Sequence, residues 1–215
     1  GAVYRNSDPS DIVVTAAGGL VGEVVQVWKP KQLNTFETEW GFSCMGYEIS
    51  GALGIKMAKP DQDVVVFVGD GSYLLNNTDI YSSVIYDQKL IIIVCDNGGH
   101  MVINRLQLAK GGKEYICNLR AARATNLKFV DFENHAKSMG ANAETVSSTS
   151  ELEAAYKRAK DSDKTYVITI KTHGYEWLEG TAFWESPTLQ DPITDNNKSA
   201  LEDFESGKSK QRKGV

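Results

Sequence analysis

The sequence is poor in cysteine: three residues in 215, Cys44, Cys95 and Cys117. An odd number at wide spacing excludes a complete disulfide framework and the close pairs of a zinc knuckle. A reducing, cytoplasmic setting is the expectation, with Cys95 a small buried hydrophobe at the end of an apolar run. Excess positive charge is also missing. Twenty-three Lys+Arg stand against 28 Asp+Glu, a formal net charge of −5, so bulk electrostatic attraction to nucleic acid is not expected. Long apolar runs are absent as well. The longest, 64–68 and 90–95, are strand-sized beside the roughly 20 residues of a membrane helix. Residues 1–10 contain no apolar stretch of the signal-peptide kind. Neither nucleic acid nor a membrane is an expected partner.

What the chain does have is alternation of strand and helix signals. Residues 12–17 form a β-branched run closed by Gly18-Gly19, and 20–28 read as a short helix ended by Pro30. A strand is expected at 33–38 and a helix at 45–58. Residues 64–68 and 90–95 are continuous apolar strands of the kind buried on both faces of a parallel sheet, with a helix at 76–86 between them. Polar, glycine-bearing residues 104–126 read as loop with short helical pieces. Helices are expected at 131–139 and 150–160, the latter opened by Ser150 and Glu153 at capping-box spacing, and a last strand at 165–170. Repeated strand–helix units predict an α/β fold: three αβα layers around a mainly parallel sheet. Residues 1–187 are expected to form the domain. Residues 188–215 form a polar, solvated tail ending in Lys208, Lys210, Arg212 and Lys213.

The chemistry-bearing residues follow the two apolar strands. Gly69-Asp70-Gly71-Ser72 succeeds the first, where ligands of open α/β sheets bind and where glycines let the backbone approach a phosphate. Alone, this tetrapeptide is also an ordinary turn. It fails the dinucleotide fingerprint, because Leu74 stands where a third glycine belongs. Gly207-Lys208-Ser209 imitates a P-loop ending but lacks its opening glycine. The second strand is followed by Asp96-Asn97-Gly98-Gly99, which puts Asn97 27 residues beyond Asp70. Two neighbouring strands that each end in a hard oxygen donor can converge on Mg²⁺, with a main-chain carbonyl near Gly99 and phosphate oxygens completing an octahedron.

The paired motif is similar to the cofactor motif of the thiamine-diphosphate-dependent enzymes. The resemblance implies that Asp70, Asn97 and the Gly99 carbonyl hold Mg²⁺ and that Gly71 and Ser72 hydrogen-bond the diphosphate of thiamine diphosphate. Gly18-Gly19-Leu20 matches a further, weaker diphosphate contact. In Phe42-Ser43-Cys44-Met45-Gly46, Met45 would be the apolar wedge between the cofactor's two rings, in contrast to simple core packing. The Ser43 carbonyl and Met45 amide would meet the aminopyrimidine. The stretches 39–49, 69–73 and 172–176 resemble one branch of the family, whose members hydrolytically open a cyclic trihydroxylated 1,2-diketone in inositol catabolism. An acetolactate-synthase-like carboligase and a non-catalytic interaction domain of the same fold stay open as alternatives.

Two departures stand out: His100 replaces an aromatic residue of the family, and 176–184 follow its Trp-rich ending loosely. His100 is a candidate acid/base, His173 belongs to a segment that in the family covers the site, and His135 is expected on a helix surface. The activating glutamate of thiamine catalysis is implied to lie elsewhere, on a pyrimidine-binding domain supplied by another subunit, so neither Glu39 nor Glu48 is assigned that role. The chain opens Gly1-Ala2-Val3 without an initiator Met. The expectation is the C-terminal third of a longer homodimeric or homotetrameric enzyme, inactive as a fragment toward its small-molecule substrate.

Overall fold

A computed structural model of the chain describes residues 1–178 and 188–212. The expected boundary at 187, most of the Trp-rich ending at 176–184, and Lys213 fall outside the described residues. Six strands form one sheet: β1 (Ile12–Thr15), β2 (Phe36–Thr38), β3 (Val64–Gly69), β4 (Ile91–Asp96), β5 (Asn142–Val146) and β6 (Tyr166–Lys171). Their order is β2-β1-β3-β4-β6-β5, and every pairing is parallel.

The two apolar strands occupy the middle, as their composition requires. Alternate residues of β3 and β4 point to opposite faces, and both faces are dry. Val64, Val66, Val68, Ile92 and Val94 pack with Ile49, Ala52, Tyr73, Ile80, Phe132 and Ala136 on one side. These come from α3 (Tyr47–Ala58), α4 (Asp70–Leu75), α5 (Asp79–Ile85) and α7 (Phe132–Ser138). On the other side Val65, Ile91, Ile93 and Ile168 pack with Val3, Val24, Ala155, Tyr156 and Ala159. Those belong to α1 (Ala2–Asn6), α2 (Gly18–Val27) and α8 (Thr149–Asp161). The three-layer α/β expectation holds, with a wholly parallel sheet.

Several local readings change. The helix expected at 76–86 is α5, and an unforeseen one, α4, precedes it, beginning at Asp70 directly off β3. The stretch 104–126, read as loop with short helical pieces, includes most of α6 (Met101–Ala109), a nine-residue helix that is largely polar and buries Met101 and Asn104. β5 was not foreseen: it is an edge strand with only Ala143 and Val146 buried. The cap of α8 is Ser148, whose Oγ accepts from Glu151 N at 3.2 Å, while Glu151 Oε2 accepts from Ser147 N at 2.7 Å. The capping logic is right and shifted by two residues from Ser150. The polar tail carries a fifteen-residue helix, α9 (Asp195–Ser209). Thr194 caps it, Phe204 is buried, and Asn197 Nδ2 donates to the Lys110 carbonyl at 2.9 Å, so this helix is seated on the end of α6. His135 lies on α7 as expected but is half-buried, its Nδ1 2.9 Å from the Tyr73 hydroxyl.

The amino ends of β1 and β3 are tied by one ammonium. Lys160 Nζ lies 2.7 Å from Asp11, 2.8 Å from Asp63 and 2.9 Å from Asp8, with the Asp11 side chain only 2% exposed. Burial alone would raise the Asp63 carboxyl, yet Lys160 and Lys89 overcome it and hold Asp63 below its ordinary value. A carboxylate with a depressed folded pKa stabilises fully above its unfolded pKa, and that stability fades as pH falls through the folded value. Lys160→Met should therefore lose about 3 kcal/mol in urea unfolding at pH 7, because it strands buried carboxylates. The deficit should shrink below about pH 4, as Asp63 protonates. Arg158→Met, which breaks a half-exposed pair with Glu144, should lose under about 1 kcal/mol.

Candidate functional site

The strand order reverses at β1, with β2 on one side and β3 on the other. Crevices beyond the carboxyl ends of strands at such a point are where open α/β sheets bind ligands. Three segments leave the sheet here: Ala16-Ala17 leading into α2 after β1, Asp70 opening α4 after β3, and Asn97-Gly98-Gly99 after β4.

Asp70 is 3% exposed. Its Oδ2 accepts from the Gly99 amide at 2.7 Å and the Gly98 amide at 3.1 Å. The Asn97 amide end that faces Asp70 is 2.8 Å from the Gly99 carbonyl oxygen and 3.2 Å from Asp70 Oδ1. With its nitrogen inward, Asn97 donates to both; with its oxygen inward, three oxygens meet at one point. Which way an amide turns is set by its partners, and a cation would select the oxygen. A carboxylate, an amide oxygen and a carbonyl are the donors a hard divalent ion prefers. Among the described residues no group of three His, Cys, Asp or Glu side chains could hold a metal. The donors gathered here are a carboxylate, a side-chain amide and a main-chain carbonyl.

Burial, and then the charge of neighbouring Asp96, push the Asp70 carboxyl up to about 6, against the pull of the Gly99, Gly71 and Gly98 amides. A cation there would favour the charged form. Asp96 is itself compensated: Oδ1 accepts from Gly98 N at 3.0 Å, and Oδ2 pairs with Lys171. Gly99 has φ +137°, and a Cβ on it would run into the Cys117 carbonyl, so only glycine brings this carbonyl to the site.

Sequence reasoning missed the residue that joins the loops. Glu48, in the first turn of α3, is 1% exposed. Its Oε1 accepts from Ala17 N at 3.2 Å and Ser72 Oγ at 2.8 Å; Oε2 accepts from Gly46 N at 2.9 Å. Ser72 Oγ in turn accepts from Gly46 N at 2.9 Å. One carboxylate thus fixes the β1–α2 loop, the loop before α3 and the start of α4. The signal was present: Glu48 stands four residues before Ala52, on the face that α3 buries. The Ser72 hydroxyl is committed inward, which leaves only its main chain toward any ligand.

The expected ring-contacting loop is held from outside. Glu39 accepts from Phe42 N at 2.8 Å and Cys44 N at 2.6 Å, and the Cys44 and Phe42 amides hold its carboxyl below the usual range. Ser43 sits at φ +52° and is exposed. Met45 is 39% exposed and Phe42 90%, so Met45 is not packed into the core. His100, exposed, lies over Gly71, where a Cβ would fall 2.6 Å from its ring. His173 is exposed, and its Nδ1 accepts from Tyr175 N at 3.2 Å.

Beside the oxygen cluster runs a cleft of about 410 Å³, lined among others by Gly19, Leu20, Asn97, Arg105, His173 and Trp177. Gly18 opens α2 next to it and faces Val102 of α6. A larger hollow of about 830 Å³ opens at the amino ends of β5 and β6. Its cations are already engaged: Arg158 by Glu144, Lys137 by Glu133, Lys164 by the Gly140 carbonyl. The chemistry gathers at the carboxyl ends.

Glu48→Ala should lose about 3 kcal/mol in urea unfolding, because it strands the Ala17 amide and the Ser72 hydroxyl in a dry site. Glu39→Ala, whose amides reach water, should lose under about 1 kcal/mol. Similar losses for the two variants would contradict the hub.

A family profile described as "Thiamine pyrophosphate enzyme, C-terminal TPP binding domain" matches residues 16–170. The chain is 38% identical over 180 residues to the 3D-(3,5/4)-trihydroxycyclohexane-1,2-dione hydrolase of Halalkalibacterium halodurans, covering 81% of this chain and 28% of that protein. It is 36% identical over 214 residues to the like-named protein of Lacticaseibacillus casei, covering 96% and 32%. The chain thus spans about a third or less of these relatives. Among solved structures it is similar to benzoylformate decarboxylase from Polynucleobacter necessarius, with TM-score 0.67 at 22% identity over 82% of this chain and 33% of that one. It is similar also to the Rhodococcus jostii RHA1 thiamine diphosphate-dependent 4-hydroxybenzoylformate decarboxylase, with TM-score 0.66 at 20% identity over 80% and 31%. Likeness at that identity concerns the fold alone. The sequence matches carry the assignment: this chain belongs to the thiamine pyrophosphate enzyme family, as its C-terminal cofactor-binding domain.

Proposed function

We propose that Asp70, Asn97 and the Gly99 carbonyl hold Mg²⁺ and, through it, the diphosphate of thiamine diphosphate. In the same proposal the domain serves an enzyme that hydrolytically opens the ring of a cyclic 1,2-diketone of the trihydroxycyclohexanedione class. The convergence of three oxygen donors at the carboxyl ends of β3 and β4 carries the metal part of the reading. The names of the relatives at 36–38% identity support the substrate class. Bound thiamine diphosphate would supply a nucleophilic carbon and an electron sink for breaking a carbon–carbon bond.

This chain's residues would bind and orient. Amides of Gly98 and Gly99 fix the Asp70 carboxylate toward the metal. The main chain of Gly71 and Ser72, and that of Gly18-Gly19-Leu20 across the crevice, would meet the diphosphate. Met45, solvent-facing on a loop that Glu39 braces, would be covered by the cofactor rings, with the Ser43 carbonyl and the Met45 amide turned to the pyrimidine. His100, exposed over Gly71, is the chain's candidate proton carrier.

Neither Glu39 nor Glu48 is free for the activating carboxylate's role, since both are spent on amides of this chain. That group would come from a pyrimidine-binding domain, contributed by another subunit of a homodimer or homotetramer. Exposed Trp40, Phe42 and Met45 support such a neighbour, because they leave apolar surface at the rim of the site. In this reading residues 1–187 are the cofactor domain and 188–215 a tail, of which α9 is stapled to the end of α6.

Calorimetric titration with thiamine diphosphate should show binding that requires Mg²⁺ and is lost in Asp70→Ala. In the parent protein with its flanking domains, the cyclic dione should be consumed and pyruvate should not. Turnover of pyruvate instead would favour an acetolactate-synthase-like carboligase. Absence of Mg²⁺-dependent binding even with those domains in place would favour a non-catalytic domain.

A further inference from the structure

The segment that follows β6 returns across the end of the sheet, Thr172 N donating to the Asp96 carbonyl at 2.9 Å. Trp177 then lies over the Arg105 guanidinium, 4.6 Å from ring centroid to Cζ. Between them, Tyr175 reaches into a polar knot built from three elements. Its hydroxyl donates to Glu114 Oε1 at 2.7 Å and accepts from Asn118 Nδ2 at 2.7 Å. The same Glu114 oxygen accepts from Asn104 Nδ2 of α6 at 2.9 Å and Asn118 Nδ2 at 3.1 Å. Three donors on one oxygen make Glu114 the knot's centre, and the Tyr175, Asn104 and Asn118 hydrogen bonds hold its carboxyl below the usual range.

Asn118 links this knot to the oxygen cluster. It is 1% exposed, and its main chain pairs with Gly99 in an isolated antiparallel bridge. The next residue, Leu119, donates its amide to the Gly98 carbonyl at 3.0 Å. The side chain of Asn118 is therefore fixed by Tyr175 and Glu114, and its backbone fixes the glycines that face Asp70. The amide side of the turn is held by Asp70 and Asp96, and both glycines have φ values open only to glycine at low cost, so the Leu119 amide and the bridge at Asn118 add a hold on its other side.

We propose that Tyr175 is a positioning residue for the metal loop: with Glu114 it holds Asn118, and the chain at Asn118-Leu119, through its bridge to Gly99 and the Leu119 amide on the Gly98 carbonyl, seats the turn that presents the Gly99 carbonyl beside Asp70 and Asn97. This inference rests on the Mg²⁺ reading above. It gives the segment after β6 a task in ion selectivity besides cover. Mg²⁺ demands near-ideal octahedral geometry at short distance, whereas Ca²⁺ tolerates longer and irregular ligation. A loosened carbonyl should therefore penalise Mg²⁺ more than Ca²⁺.

The test uses the parent protein with its flanking domains, stripped of metal by a chelator. Mg²⁺ and Ca²⁺ are titrated separately at saturating thiamine diphosphate, with cofactor-induced circular dichroism as the readout. Tyr175→Phe keeps the ring and removes only the hydroxyl. Glu114→Ala, which removes the shared acceptor, covers the case in which the first variant folds poorly. Hydrogen-bond partners behind metal ligands are typically worth roughly 10–100-fold in affinity. Half-saturation by Mg²⁺ should therefore rise about tenfold in both variants, and that by Ca²⁺ clearly less. Asp70→Asn should lose the response to both ions. Unchanged Mg²⁺ affinity in both knot variants, while Asp70→Asn loses binding, would overturn this inference and leave the metal site standing. An equal loss for both ions with a lowered urea midpoint would mean a purely structural role and overturn it too. A normal response in Asp70→Asn would remove the metal site and this inference with it.

Discussion

Three of the segments at the carboxyl end of the sheet depend on where the Glu48 carboxylate sits. Hydrophobic burial positions β1, β3 and β4 but is indifferent to what the loops beyond them do. Glu48 supplies the missing direction, because Ala17 N, Gly46 N and Ser72 Oγ all point at one group from segments up to 31 residues away in sequence. In a dry setting such a network is strong when complete and costly when any donor is stranded. The three loops are therefore locked together or not at all. Asp70 inherits its place from this lock, being two residues before Ser72 at the start of α4.

The sheet does the rest by register. Gly69 of β3 pairs with Cys95 of β4, so the residues just beyond, Asp70 and Asp96-Asn97, emerge side by side. Two carboxylates so close, both buried, raise the Asp70 pKa. The fold tolerates this through glycine amides on Asp70 and through Lys171 on Asp96. Such an arrangement stores unfavourable charge where a divalent cation would relieve it. The far end of the molecule shows the contrasting solution: Lys160 resolves three carboxylates within the chain and leaves little for a ligand.

The sequence made some of this legible and hid the rest for physical reasons. Strand-end chemistry is local, so Asp70 after the run 64–68 and Asn97 after the run 90–95 could be read as neighbours at the ends of adjacent strands, and the parallel pairing of β3 with β4 puts them there. The central strands were equally plain, because burial on both faces requires unbroken apolar runs. β5 was invisible because an edge strand half open to water keeps Asn142 and Glu144 among its five residues. α6 and α9 were read as loop and tail because their polar faces outnumber the few side chains they bury. The hub at Glu48 and the Tyr175–Glu114–Asn118 knot escaped for another reason. Each joins partners distant in sequence, and neither periodicity nor spacing reports which distant donor a carboxylate will meet. Only the polar residue on the buried face of α3 carried a local hint.

The central claim is that Asp70, Asn97 and the Gly99 carbonyl share one metal ion with the cofactor's diphosphate. The most direct measurement is a crystal structure with thiamine diphosphate and Mn²⁺ in place of Mg²⁺, read by anomalous scattering. The account predicts one strong peak within about 2.5 Å of all three oxygens, with the Asn97 amide oxygen turned inward and the diphosphate beside Gly71. A peak elsewhere, or cofactor bound with the Asn97 nitrogen still donating to Asp70, would contradict it.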